Sequence, residues 1–158
     1  MATFDHFDLK ILTLLQRDAT MQLDAIAAAV GLSASPCWRR IKRLEEDGVI
    51  TRRVALVDRR AANVNVTVFA AIRTNEHSPQ WLADFSRIVS DIPEVVEFYR
   101  MAGQVDYLLK IVVPSIEAYD EVYRRLISKV TIHDVSSMFA MEDIKGTTEM
   151  PLTYMALK

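Results

Sequence analysis

Gly103 and Asp106 stand three apart in MAGQVDYLLK (101–110), between two apolar, strand-forming runs. A glycine lets the backbone come close to another molecule, and a carboxylate can pair an ammonium group. Backbone N–H groups of the same loop can receive a carboxylate. The same spacing also suits an ordinary hairpin, with Gly103 as the turn residue, Asp106 capping the turn and Tyr107 filling a strand. A second cluster lies upstream in RRIKR, which holds Arg39, Arg40, Lys42 and Arg43. Its chemistry is either recognition of phosphates and guanine edges or that of a solvated helix face laced with ion pairs.

Little else in the chain could do chemistry. The single cysteine, Cys37, allows no internal disulfide framework, and His6, His77 and His133 are scattered, so no metal is expected. Cys37 falls on an apolar stripe and reads as a small core side chain. No paired carboxylates, nucleophile-histidine set or phosphate loop appears, which points away from an enzyme and from a cofactor. The N-terminus carries acids where a signal peptide would be basic, and no apolar run approaches the ~20 residues that span a bilayer. The expectation is a cytoplasmic protein with no membrane contact.

An apolar fraction of 51% supports a genuine core, and the net charge of −2 conceals an uneven distribution. Residues 1–60 hold ten Lys/Arg against eight Asp/Glu, whereas 61–158 hold nine against thirteen. Between Ser33 and Arg60 alone there are eight basic side chains and four acids. A local basic patch can bind nucleic acid where the average charge would not.

The elements that must position these residues follow from periodicity. DLKILTLLQRD repeats its leucines at helical spacing, with Asp5 or Asp8 as cap; LDAIAAAV forms a second helix closed by Gly31. SASPCWRRIKRLEEDG forms a third, with Ser33 or Ser35 at its start, Pro36 in its first turn, Gly48 as its stop, and Cys37, Ile41 and Leu44 buried. Two helices joined by a tight glycine turn make a helix-turn-helix, whose second member enters the major groove of double-stranded DNA. Ser33, Ser35, Trp38, Arg39, Arg40, Lys42 and Arg43 are the candidate contacts there. Val49–Thr51 and Val54–Val57 read as a small wing, with Arg52 and Arg53 at its tip resting on backbone phosphate.

From Val64 the pattern alternates with period two, then a helix begins at Ser78-Pro79 with Trp81, Leu82, Phe85, Ile88 and Val89 on one stripe. EVVEFYRM and DYLLKIVV follow as strands, Ser115 caps a helix with Ile116, Tyr119, Val122, Tyr123 and Leu126 inward, and VSSMFAMEDI supplies a fourth strand. The order βαββαβ describes a ferredoxin-like α+β sandwich with both helices on one sheet face. Its other face is apolar too, which predicts pairing of sheets between two chains. Domains of 1–60 and 61–158 result.

VGLSASPCWRRIKRLEEDGVI (30–50) closely resembles the helix-turn-helix signature of the Lrp/AsnC, or feast/famine, transcriptional regulators, and the second half has the element order of that family's effector domain. ANVNV departs from the family where a glycine often precedes the first strand. The resemblance implies a sequence-specific DNA-binding regulator, a homodimer that commonly builds an octamer, and a small amino-acid effector bound where neighbouring dimers meet. It places the effector around Gly103 and Asp106, with Met101, Ala102, Tyr107 and Met138 shaping the side-chain cavity and Ser136 and Ser137 of the facing chain as polar partners. The texture of SPCW, KRLE and MAG..DYL resembles a branch that responds to cysteine; leucine, methionine and asparagine are the other effectors in view. An architectural DNA-binding protein without effector response is the alternative function.

Overall fold

The computed structural model describes residues 4–157, which divide into two compact units. One runs to Ala55 and includes the segment from Lys145 onward; the other is Leu56–Ile144.

In the first unit, α1 (His6–Arg17) opens with a reciprocal cap. Asp5 accepts from the Phe7 and Asp8 N–H groups, and Asp8 accepts from the Asp5 N–H. Helix α2 (Leu23–Val30) ends at Gly31, whose left-handed φ of 80° turns the chain sharply into α3 (Ala34–Glu46). Ile11, Leu12, Ile26, Ala27, Val30, Cys37, Ile41 and Leu44 make one apolar core between the three helices. The tail belongs here as well. A 3₁₀ turn at Leu152–Tyr154 sets Leu152 and Met155 against that core, Gln16 exchanges two hydrogen bonds with the Met150 backbone, and Arg17 pairs Glu149 at 3.0 Å. A boundary drawn once, near residue 60, therefore assigns the last fourteen residues differently from the fold.

The expected wing strands do not form: no strand pairing involves residues 49–57. Arg52-Arg53 supplies no residue suited to a two-residue hairpin turn, and Val54, Leu56 and Val57 stay exposed.

The second unit contains β1 (Val66–Arg73), α4 (Pro79–Ser90), β2 (Val95–Arg100), β3 (Tyr107–Val113), α5 (Ile116–Lys129) and β4 (Asp134–Phe139). Its sheet is antiparallel throughout in the order β2-β3-β1-β4. This is the α+β sandwich that the periodicity predicts. Asn63, in the ANVNV connector, takes a left-handed φ of 54°, which asparagine tolerates better than most residues, so the turn towards β1 is made without glycine. Arg59 then bonds the Val64 carbonyl, the Thr67 hydroxyl and Asp143, tying the connector to β1.

Val68, Ala70 and Ile72 of β1 face the helices, with Leu109, Ile111 and Val113 beside them. Phe85 of α4 is fully buried and packs against Trp81, Phe98 and Tyr107 at ring separations of 4.8, 5.4 and 5.5 Å. Ile116 is 62% exposed rather than inward: it is the first residue of α5, whose buried stripe is Tyr119, Val122 and Leu126. No helix of this unit covers the opposite face, where cross-strand pairing aligns Phe69 with Lys110 and Met138, and Ala71 with Leu108 and Ser136. Tyr99 and Met138 on that face are half exposed. Removing the aromatic keystone of the core is expected to be costly: Phe85→Ala should lower the unfolding free energy of the second unit by about 3–5 kcal/mol, read from urea denaturation followed by tryptophan fluorescence.

Candidate functional site

On α3 the buried stripe of Cys37, Ile41 and Leu44 leaves Ser35, Trp38, Arg39, Lys42 and Arg43 exposed. Ser33 holds the N-cap position without a side-chain cap bond and is exposed. Arg39 makes no ion pair among the described residues. Trp38 is 51% exposed and borders a shallow groove of about 290 Å³ with Met21, Leu23 and Ile26. Glu45 receives Lys42 at 3.1 Å and Arg53 at 3.0 Å, which holds Arg53 beside α3. The Lys42 hydrogen bond, helped by Arg53, keeps the Glu45 carboxyl below its usual range. Arg52 is exposed. Such a face offers cations and a hydroxyl for phosphates and base edges, and an indole for apolar contact.

Arg40 and Arg43 are placed differently. Arg40 pairs Asp5 at 2.8 Å and Asp8 at 2.9 Å, and Arg43 pairs Asp8 at 2.6 Å. Both guanidinium groups reach α1, although Arg43 keeps 45% of its side chain exposed, close to the 49% of Lys42. The ion pairs reach across helices and not along α3, so the i,i+4 pattern within RRIKR could not reveal them. Burial acts to raise the Asp5 carboxyl, yet the Asp8 and Phe7 N–H groups and Arg40 outweigh it and hold it below the usual carboxylate range. Burial also pushes the Cys37 thiol up, against the opposing charge of Arg40, consistent with a packed core side chain.

At the other candidate site, the β2–β3 loop carries Met101, Ala102 and Gly103, all exposed, with Gly103 at a φ of 134° that favours glycine. The loop is closed by the Met101 N–H donating to the Asp106 carbonyl. Asp106 is anchored twice to β1: its N–H donates to the Ile72 carbonyl, and its Oδ2 accepts the Thr74 N–H at 2.8 Å. Its Oδ1 takes no hydrogen bond among the described residues. Tyr107 lies 4% exposed in the aromatic cluster of the core and so lines no cavity at the loop directly. Ser136 and Ser137 are adjacent on β4 and alternate in direction. Ser137 hydrogen-bonds Tyr119 on the helix side, whereas Ser136 and Met138 belong to the uncovered face.

Sequence reasoning missed a cleft of about 490 Å³ at this same end of the sheet, lined by Thr74, Asn75, Glu76, Trp81, Thr131 and His133. Asn75 Nδ2 and His133 Nδ1 lie 3.1 Å apart across it. Thr74 joins the cleft to Asp106 through its N–H. The available signal was the polar run Thr74-Asn75-Glu76 directly after an alternating strand, but only the pairing of β1 with β3 and β4 brings it beside Asp106 and His133.

Comparison with known proteins matches both units. Residues 4–51 match the winged helix-turn-helix DNA-binding family, and residues 67–150 match the Lrp/AsnC ligand binding domain. The glutamate uptake regulatory protein of Zymomonas mobilis is 52% identical over 148 residues, covering 94% of this chain and 90% of its own. The crystal structure of an AsnC family transcriptional regulator from Agrobacterium tumefaciens superposes with a TM-score of 0.94 at 60% identity, covering 96% of this chain and 99% of the other. A Neisseria meningitidis transcriptional regulator in complex with L-Met superposes with a TM-score of 0.92 at 31% identity, covering 96% and 99%. A tri-helical unit with a basic third helix, joined to a ligand-binding sandwich, makes this chain a member of the Lrp/AsnC family of transcriptional regulators.

Proposed function

We propose that a small amino acid is the effector, bound at the sheet end that carries the Gly103 loop, Asp106 and the Thr74 cleft. One observation carries this reading: Asp106 is held rigidly by Thr74 and Ile72 while its Oδ1 makes no hydrogen bond among the described residues. A preorganised carboxylate of that kind suits the ammonium of an amino acid. Backbone N–H groups near Gly103, whose missing Cβ leaves room, take the carboxylate. Cysteine is one candidate by sequence resemblance, and methionine another because the Neisseria relative binds it.

The DNA contacts in this reading are made by Ser35, Trp38, Arg39 and Lys42 of α3, with Arg52 and Arg53 on flanking phosphate. The working particle is a homodimer joined through the uncovered sheet face, assembling further into a ring such as an octamer. Two recognition helices about one turn of DNA apart supply affinity that one module lacks. An effector that binds one assembly more tightly than another shifts the population of DNA-competent particles, and DNA shifts effector affinity by the same factor.

Two measurements check this function. A thermal-shift screen of the twenty amino acids identifies the effector, and calorimetry then compares wild type with Asp106→Asn, which keeps an acceptor for Thr74 but loses the charge. Affinity should fall roughly 10- to 100-fold, the value of a charge-assisted hydrogen bond; unchanged affinity removes Asp106 from the site. For DNA, Arg39→Ala should weaken binding to the promoter of its own gene by about 1–3 kcal/mol, and gel shifts that match wild type would withdraw Arg39 as a contact.

A further inference from the structure

The DNA-binding unit holds a charged group to which the proposed function gives no task. Asp8, in the first turn of α1, is 1% exposed, yet three donors converge on it. Arg40 Nη1 lies 2.9 Å from Oδ1, Arg43 Nη2 lies 2.6 Å from Oδ2, and the Asp5 N–H lies 3.1 Å from Oδ2. Arg40 is further held by Asp5 and has its guanidinium carbon 5.2 Å from the Phe7 ring centroid. Two of the four basic side chains on α3 are thus anchored on a different helix.

Moving either guanidinium to a DNA phosphate would strand part of a buried charge. Burying an uncompensated carboxylate is strongly unfavourable, whereas an exposed cation-phosphate contact is weakened by hydration and salt. The buried partner therefore wins. Phosphate contacts carry no base information, so withholding two of them lowers affinity for all DNA alike and raises the share contributed by base reading.

We propose that Asp8 is a positioning residue for DNA recognition, which seats α3 on α1 and withdraws Arg40 and Arg43 from the phosphate footprint. Arg39, without an ion pair among the described residues, and Lys42, whose partner Glu45 is partly exposed where Asp8 is buried, then remain as the DNA-facing cations of α3. Asp8 acts through the arginines and touches no nucleic acid itself.

The test is the salt dependence of binding to a random-sequence duplex, followed by fluorescence anisotropy of the full-length protein over a potassium chloride series. Each phosphate contact contributes about 0.9 to the slope of log K against log salt. Arg43→Gln should leave the slope unchanged. Asp8→Asn, which frees the arginines, should steepen it by about 1–2 per bound protomer and tighten random-sequence binding at low salt. A slope reduced by about 0.9 in Arg43→Gln overturns the proposal, as does an unaltered slope in folded Asp8→Asn. Should Asp8→Asn fail to fold, Arg43→Gln decides alone. Arg39→Ala reports separately on the DNA-facing surface, so failure of the α3 assignment is distinguishable from failure of the Asp8 role.

Discussion

The period-two alternation of β1 is the constraint on which the second unit depends. Because β1 is flanked by β3 and β4, its side chains must satisfy two environments at once. Val68, Ala70 and Ile72 fill the space beneath α4 and α5, and Phe69 and Ala71 line the face that no helix of the unit covers. A slip of one residue would exchange the two sets and expose the core. The same register sets where the chemistry falls. The end of β1 fixes Asp106 on one side through Ile72 and Thr74, and fixes the His133 backbone on the other through the Arg73 carbonyl. The core, the uncovered face and the placement of Asp106 are consequences of one strand.

In the first unit, position on a helix and availability are different things. The four basic residues of α3 have similar sequence credentials, and Arg39, Lys42 and Arg43 are all exposed, but Arg40 and Arg43 are tied to α1 whereas Arg39 makes no ion pair among the described residues. The buried carboxylate of Asp8 divides them. Net charge therefore overstates the electrostatic footprint of this helix, since part of its cationic charge is balanced inside the protein. A regulator gains by this division, because contacts common to all DNA dilute discrimination among sites.

Most of the fold was legible in the residues. Helical spacing with Asp5, Gly31, Ser78 and Ser115 at the ends marked four of the five helices closely, and alternation marked the strands, since those signals are local. Ser33 marked the start of α3 by position alone, without a capping bond. Long-range features were not legible. The return of the tail to Gln16 and Arg17, the grip of Asp8 on Arg40 and Arg43, and the cleft beside Thr74 join residues far apart in sequence, and no periodicity encodes them. The two expected wing strands did not form for the opposite reason: β-prone residues at 49–57 had propensity without a turn or a pairing partner. At the proposed effector site, Gly103 and Asp106 stood out by type and spacing, whereas the inward turn of Tyr107 and the opposed directions of Ser136 and Ser137 depend on which face each strand buries.

In the proposed function an amino acid binds where β1 ends, against a carboxylate that the protein has already oriented. A crystal structure with the amino acid that gives the largest thermal shift tests it most directly. The ligand ammonium is expected within hydrogen-bonding distance of Asp106 Oδ1, with the Thr74 bond to Oδ2 retained and the ligand carboxylate on backbone N–H groups near Gly103. A ligand bound elsewhere with no contact to Asp106 would contradict it.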